Sequence, residues 1–434
     1  MIQRLKRLAA ALTRAGGQGE PDLVLPVVLI SFNRGPMMRK VVEGYRRQTV
    51  PVEIFVHDNG SDDPETVEVL DELERSGVTV FRREKISSAA ELNLVDESVQ
   101  AIFRDRPASP YAVSDCDVSI GESATDTLEV YLAVLDAMPT MECVGPMLRI
   151  DDVPTTYPLY SAMMNRHIGR FWSREPKLTT IAGRRVAYQE APIDTTLAVY
   201  RAGEPYRRLA QGVRLYHPYD ARHLDWYPDE HQVAYRRSAD GSTISNWSNP
   251  ARERVNRFVP LEQVSYRAVE PGADGDLVVE TRSVAPLSAV PSEAIQSVME
   301  RVGAAVEDAW PGRVTRVWVW RDSVGVVEVQ GDDEARYGLD LIPGPSEQWA
   351  AFVVARTDEA DDRLRAIGLE GGSRRRYLVQ ELAAEPGSAP GADALVEAFR
   401  QVLPQLFAAD SAVDPAAEPV DEPAADPVVE QPER

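Results

Sequence analysis

The chain is poor in cysteine, with only Cys116 and Cys143 among its 434 residues. Two thiols make no disulfide framework, so packing must hold the fold, and a reduced cytoplasmic setting is the simplest reading. No run of eighteen apolar residues occurs, so no membrane span is expected. Positive charge is also short. The 69 acidic residues outnumber the 47 basic ones, for a net charge of −22. Nucleic acid is therefore not an expected partner, because phosphate binding needs a basic face. There are five histidines, and three of them fall between His217 and His231. No cysteine lies near these three, so a zinc site is not expected. No internal repeat of solenoid length is present.

What is present suffices for two or three domains, with a hydrophobic fraction of 44%. Residues 1–20 set Arg4, Lys6, Arg7 and Arg14 among Ile2, Leu5, Leu8 and Leu12 at helical spacing. Such a helix suits peripheral contact with the inner face of an anionic membrane. A leader helix docked on the protein is the other reading. From about Asp410 to Arg434, Pro, Ala and acidic residues alternate without an apolar period. That segment cannot bury enough surface to offset its ordering entropy and reads as disordered.

Between these ends, the first half repeats one pattern. Leu23–Ser31 is an apolar strand, followed by Phe32-Asn33-Arg34-Gly35 and a helix over Pro36–Gln48. Val52–Val56 is a second strand, which runs into His57-Asp58-Asn59-Gly60-Ser61-Asp62-Asp63 and a helix over Pro64–Ser76. Val78–Phe81 ends at Arg82-Arg83, and Glu91–Phe103 is helical. Tyr111–Val118 then carries Asp115 and Asp117 at the end of an apolar run. Repeated β-α predicts a mostly parallel sheet, whose polar strand tips line a crevice at the carboxyl edge. Side chains two apart share one side of an extended backbone, so Asp115 and Asp117 can converge on one cation. Oxygen ligands suit Mg²⁺ or Mn²⁺. Such an ion can grip a diphosphate and neutralise it as it departs. The bland reading is an acidic turn in solvent. Asn59-Gly60 likewise serves any tight turn, and Asn33 is a ready cap for the next helix. Cys116 reads as a small filler, and His57 as a packed or surface histidine.

The motifs VVLISFNR (Val27–Arg34), HDNGSDD (His57–Asp63) and SDCDV (Ser114–Val118), in that order, resemble the nucleotide-sugar glycosyltransferases of the GT-A fold, of the bacterial family 2 type. The resemblance spans roughly Leu23–Tyr227. It implies a GT-A (Rossmann-like) domain over residues 21–270. Its expected cofactor is Mn²⁺ or Mg²⁺. Its expected partners are a nucleotide-diphosphate sugar donor and a saccharide or glycan acceptor. By analogy Phe32, Asn33 and Arg34 border the nucleoside, and Asp58 accepts from the base. Asn59 and Arg83 complete the nucleotide-sugar contacts, with Arg83 on the diphosphate. Asp115 contacts the ribose or the metal, and Asp117 the metal. The family often has an Asn- and Gly-rich stretch before the DxD strand. Glu91-Leu92-Asn93-Leu94 stands there instead, which leaves the base and the sugar open.

Ala124–Met138 is expected to be helical and Met141–Ile150 a strand. Tyr157–Trp172 reads as an irregular aromatic loop, and Val186–Arg201 as two strands joined around Pro192-Ile193-Asp194. His217–Tyr227 (HPYDARHLDWY) is chemically dense. His223 is a third candidate metal contact, by analogy with a histidine downstream of DxD in GT-A enzymes; a core histidine is the alternative. An inverting transfer needs a base for the acceptor hydroxyl. Asp194 and Asp225 rank first, before Asp220 and Glu190. Trp172, Tyr219, Trp226 and Tyr227 can stack on sugar faces or simply fill the core. Ser238–Asn249 reads as a lid with Trp247 at its tip, or a plain loop.

Pro271–Gly275 marks a boundary. Residues 275–409 then read as a smaller α+β domain with an antiparallel sheet, and as a binding module whose protein partner is unknown. The leading function is metal-assisted glycosyl transfer, placed by analogy in polysaccharide or cell-envelope glycan synthesis. A nucleotidyltransferase is the second reading, but Ser31–Pro36 lacks the Gly-rich, Arg-containing loop of that class. A catalytically silent scaffold is the third.

Overall fold

A computed structural model describes residues 23–86, 89–194, 196–227, 254–272, 275–332, 334–371 and 373–407. The basic leader, the Ser238–Asn249 lid, His231 and the acidic tail lie outside the described residues. Among the described residues, no helix is long and apolar enough to cross a membrane.

The first strands and helices follow the apolar pattern. They are β1 (Leu25–Ser31), α1 (Gly35–Arg46), β2 (Val52–Asp58), α2 (Pro64–Arg75), β3 (Thr79–Arg82), α3 (Val95–Ile102) and β4 (Tyr111–Asp115). All seven residues of β1 are buried, as expected of a strand covered on both faces. α2 starts where the Asp63 carboxylate accepts from Thr66 N at 2.8 Å, with Pro64 in the first turn. The helix expected over Glu91–Phe103 is in two parts, a 3₁₀ turn at Ala89–Leu94 and then α3.

The remainder of this region contains β5 (Val118–Ser119), α4 (Thr127–Ala137), β6 (Cys143–Pro146) and α5 (Tyr160–His167). These are followed by β7 (Lys177–Ile181), β8 (Arg184–Glu190), β9 (Ala198–Tyr200), β10 (Gly212–Leu215) and β11 (Arg222–His223). The main sheet has the order β3-β2-β1-β4-β9-β6-β10-β8-β7. Only β9 and β8 run against the others, so seven of the nine strands share one direction. The sheet is thus mostly parallel.

The aromatic stretch Tyr157–Trp172 is not an irregular loop. It forms α5 and then a single π turn, Ile168–Trp172. Tyr160, Met163, Met164 and His167 recur at i, i+3, i+4 and i+7 and are all buried. Polar Asn165, Arg166 and His167 obscured that period. The two strands joined around Ile193 do not pair with each other. β8 lies between β10 and β7, whereas β9 is inserted between β4 and β6. Gly145 in β6 permits the insertion, because a Cβ there would meet the Leu197 carbonyl oxygen at 2.2 Å. Gly145→Ala should therefore cost about 1–3 kcal/mol of stability, read as a fall in thermal midpoint.

Pro271–Gly275 is the end of a hairpin rather than a boundary. Its strands are β12 (Ser265–Pro271) and β13 (Leu277–Ser283). Tyr266, Ala268 and Val269 belong to the first core, as does Leu287. Val290 opens the second core. The second region contains α6 (Ser292–Ala309), β14 (Val314–Trp320), β15 (Val324–Gln330), β16 (Arg336–Pro343), β17 (Trp349–Ala355) and α7 (Asp358–Ala366). It ends with β18 (Glu370–Gly371), β19 (Arg376–Leu382), α8 (Ala392–Arg400) and α9 (Leu403–Phe407). Its sheet is antiparallel throughout, in the order β14-β15-β16-β17-β19-β18. The three helices α6, α7 and α8 share one core with one face of this sheet. Val255 and Phe258 pack on the other face with Val326, Ile342 and Phe352.

Candidate functional site at the strand tips

Register sets the rim. Ser31 is opposite Asp58, Asp58 is opposite Arg82, and Ile30 is opposite Asp115. The polar tips of β1, β2, β3 and β4 therefore end on one edge, as a parallel sheet requires.

Asn33 adopts a left-handed conformation (φ 50°), which Asn tolerates better than most residues. Its Oδ1 accepts from the Asp62 and Asp63 amides at 3.0 Å each, and its Nδ2 donates to Asp62 Oδ1 at 2.7 Å. It does not cap α1, whose N-cap is Arg34 and has no side-chain cap bond. Asn33 instead pins the loop after β2. Asp58 is buried and accepts from Ser61 N at 3.0 Å and Ser61 Oγ at 2.5 Å. The ammonium of Lys85 lies 5.3 Å from the centre of the Phe32 ring. Lys85 was not anticipated from the sequence.

His57 is a packed histidine. Its Nδ1 is 2.8 Å from Ser98 Oγ and its Nε2 is 3.2 Å from Asn59 Oδ1. Asn59 Oδ1 can only accept, so Nε2 donates and Nδ1 accepts. Arg83 donates to the same Ser98 hydroxyl at 3.3 Å and pairs with Glu97 at 3.5 Å. Burial, aided by the Arg83 charge, pushes the His57 pKa down to about 4. The folded state therefore resists a proton that the unfolded chain accepts below about 6.5. Stability from this group is complete above pH 6.5 and is lost as pH falls toward 4, to a total of about 3 kcal/mol. Urea unfolding at pH 7 and pH 4.5 should show the loss, and His57→Gln should flatten it.

At β4 the chain turns at Cys116-Asp117 before re-entering β5, so the pair of carboxylates is not on one straight strand as expected. Cys116 is buried and its thiol pKa is pushed far up, mainly by burial, which fits a filler. Asp115 stays at the rim and is partly exposed. Asp117 is 0% exposed. Its Oδ2 is ion-paired with Arg34 Nη1, and its Oδ1 has no hydrogen-bond partner. The β5–β11 pairing places His223 opposite Val118 and brings its Nδ1 to 3.9 Å from Asp117 Oδ2. His223 stacks on Trp226 (4.8 Å between centroids, 2° between planes), and its Nδ1 also has no hydrogen-bond partner. Asp225 Oδ1 is 4.0 Å from Arg34 Nη2.

Among the described residues, no group of three or more His, Cys, Asp or Glu side chains stands ready to hold a metal. Asp115, Asp117 and His223 are thus not a preassembled three-ligand set. Two orphaned atoms, Asp117 Oδ1 and His223 Nδ1, are nonetheless a buried carboxylate oxygen and an imidazole nitrogen. That donor chemistry fits Mn²⁺ and, less well, Mg²⁺.

Asp194 is paired with Arg208 (2.8 and 3.3 Å) and retains 26% side-chain exposure. Burial, and then the charges of Asp115 and Asp194, push the Tyr206 hydroxyl pKa up. Asp225 is 1% exposed and lies with Arg34 instead. Glu190 is held by Lys177 at 2.6 Å, and Asp220 by Arg149 at 3.2 Å. Trp172, Tyr219 and Trp226 are buried, and Tyr227 donates to Asp152. Arg208 was missed by the sequence reading. Its only signal was the cationic pair Arg207-Arg208 just after Tyr206.

Residues 27–92 match the family model described as Glycosyl transferase family 2. The match contains VVLISFNR and HDNGSDD and ends before SDCDV, so the resemblance read from the first two motifs is met. No curated protein matches the chain. Among solved structures, the mannosyltransferase PcManGT from Pyrobaculum calidifontis, in complex with GDP-Man and Mn²⁺, is similar at 14% identity. That match covers 54% of this chain and 67% of that one, with a TM-score of 0.31. The glucosyl-3-phosphoglycerate synthase from Mycobacterium tuberculosis, in complex with Mn²⁺, UDP and phosphoglyceric acid, is similar at 15% identity, over 64% of this chain and 90% of that one (TM-score 0.26). S. aureus TarS 1–349 with UDP is similar at 15% identity, over 29% of this chain and 36% of that one (TM-score 0.23).

Proposed function

We propose that the protein moves a glycosyl group from a nucleotide-diphosphate sugar to a hydroxyl of a saccharide or glycan acceptor, with inversion and with a divalent ion. The observation that carries this reading is the rim itself. Asp58 ends β2 opposite Ser31 of β1, and Arg34, just after β1, is ion-paired with Asp117, just after β4; Arg34 and Asp58 lie within the segment that matches the family 2 model.

In this reading Asp58, Asn59 and Phe32 border the nucleoside, and Asn33 shapes their loop. Asp117 and His223 hold the ion, with Asp115 on the ion or the ribose. When bound, the ion would neutralise charge on the diphosphate. Arg34 and Arg83 supply fixed positive charge for the same group. A guanidinium suits phosphate because its planar fork offers two parallel donors.

Asp194 is the base of choice. It is exposed enough to meet an acceptor hydroxyl. Asp225 is buried beside Arg34, which favours a role in holding that cation. Synthesis of a polysaccharide or envelope glycan on the cytoplasmic side, with the basic leader on the membrane surface, is consistent with the sequence.

Thermal unfolding with UDP-, GDP- and dTDP-sugars, with and without Mn²⁺, tests the reading. A ligand at 100 times its Kd adds about 2.7 kcal/mol, which moves the midpoint clearly. One donor class should stabilise, and more so with Mn²⁺. No shift with any of them at saturating concentration would return the protein to a scaffold with an inherited fold.

A further inference from the structure

The second region contains an edge strand that glycosyl transfer does not use. β14 (VTRVWVW) ends its sheet, with β15 as its one neighbour among the described residues. Every residue of β14 is exposed or half-buried, whereas β15, one place inward, is mostly buried. The opposite edge, β18, is blunted by a length of two residues. β14 has one bulge, between Val314 and Arg316, and then runs in register to Trp320. It carries neither Pro nor Lys to deter pairing. Such an edge is a template on which an extended segment adds as a further strand.

The edge is cationic. Arg316, Trp318 and Trp320 share one face of the strand. Trp318 and Trp320 place it on the side of the sheet where Val255 and Phe258 pack. The Arg316 guanidinium lies 4.6 Å from the centre of the Trp318 ring, and that of Arg321 lies 5.0 Å from the Trp320 ring. Neither pairs with a carboxylate among the described residues.

The acidic tail starts beside this strand. Phe407, the last described residue, has its ring 5.5 Å from that of Trp310 and 5.1 Å from the Arg313 guanidinium. Trp310 and Arg313 lead directly into β14. From Asp414 the tail repeats every four residues, with an acidic residue before each of Pro415, Pro419, Pro423 and Pro427. Proline fixes its own φ and pushes the residue before it into extended backbone. In an extended strand the N–H and C=O of one residue point to one edge and those of the next residue to the other. A period of four is even, so all four prolines turn their missing donor to the same edge. Glu418, Val420, Glu422 and Ala424 keep complete pairing groups on the opposite edge. Their side chains share a face on which carboxylate alternates with a small apolar group.

We propose that residues 414–430 add to β14 as the outer strand of this sheet, with their carboxylates at Arg316 and Arg321 and their prolines toward solvent. The segment cannot build a core of its own, and on a formed edge it needs none. Its prolines restrict the free chain, and the tether at Phe407 keeps its local concentration in the millimolar range. The seven residues 408–414 span up to about 24 Å, the length of β14 itself, so the repeats reach the whole edge. The added strand also closes the edge to a second copy of the chain. None of this depends on the glycosyl-transfer reading.

The test is hydrogen exchange on the full chain at micromolar concentration, comparing the β14 amides with those of β17. Val420→Pro with Ala424→Pro removes two inward N–H groups and leaves the charge unchanged. Ala417→Pro with Ala425→Pro adds prolines only at outward positions. The first pair should speed β14 exchange about tenfold or more, and the second should leave it at the parent rate. Arg316→Glu with Arg321→Glu should speed it as well. Unchanged β17 exchange shows that the sheet persists in each variant. Parent-like β14 exchange in the Val420/Ala424 variant overturns the proposal, as does equal acceleration by the two proline pairs. Protection that rises with protein concentration and survives the Val420/Ala424 change gives the edge to a second copy instead.

Discussion

On the glycosyl-transfer reading, Asp117→Ala should lower the turnover of the donor by ~10²–10³-fold or more while the far-ultraviolet spectrum stays native. The size follows from the position of the carboxylate. It is fully buried, it holds Arg34, and its second oxygen has no hydrogen-bond partner. Loss of this one group removes an ion ligand and frees Arg34 at the same time. The fold survives because Asp225, 4.0 Å from the same guanidinium, can take over as counter-charge. Breaking a buried pair with no such reserve would cost about 3–5 kcal/mol. Turnover equal to the parent protein would remove Asp117 from the mechanism, and the metal assignment with it.

Asp194→Asn is expected to lower kcat by ~10²–10⁴-fold with little change in the KM for the donor. The amide keeps one acceptor for Arg208 but cannot take a proton. Asp225→Asn should differ in kind. It loosens Arg34, so the KM for the donor rises more than kcat falls. Steady-state kinetics on the two variants separate the roles. If Asp225→Asn shows the larger kcat loss, the base is Asp225, and Asp194 only anchors Arg208.

The parallel half of the sheet was readable because it is built from local, dense signals. β1 is a seven-residue apolar strand that stops at a polar loop, and β2 repeats the design. The motifs sit at strand ends, where topology alone brings them together. The harder part depended on contacts distant in sequence. Arg34 and Asp117 are 83 residues apart, and nothing in either neighbourhood names the other. β6, β9 and β10 are three or four residues long, too short to show any periodicity. Their place depends on β9 slipping beside Gly145, a steric fact with no sequence period. The β12–β13 hairpin was read as two separate things because its turn looked like a linker. Asp115 and Asp117 were expected on one side of a straight strand, whereas the turn at Cys116 sends one to the rim and one inward.

Arg34, Arg83 and Arg208 are each paired with a carboxylate at the rim, Asp117, Glu97 and Asp194, in a chain that carries a net charge of −22. On the glycosyl-transfer reading, an anionic donor approaching from solution would be repelled at long range by that net charge. Near physiological ionic strength, fields beyond about 8 Å are screened. Dilute buffer therefore slows capture and moderate salt relieves it, the inverse of the usual behaviour of a protein steering an anion.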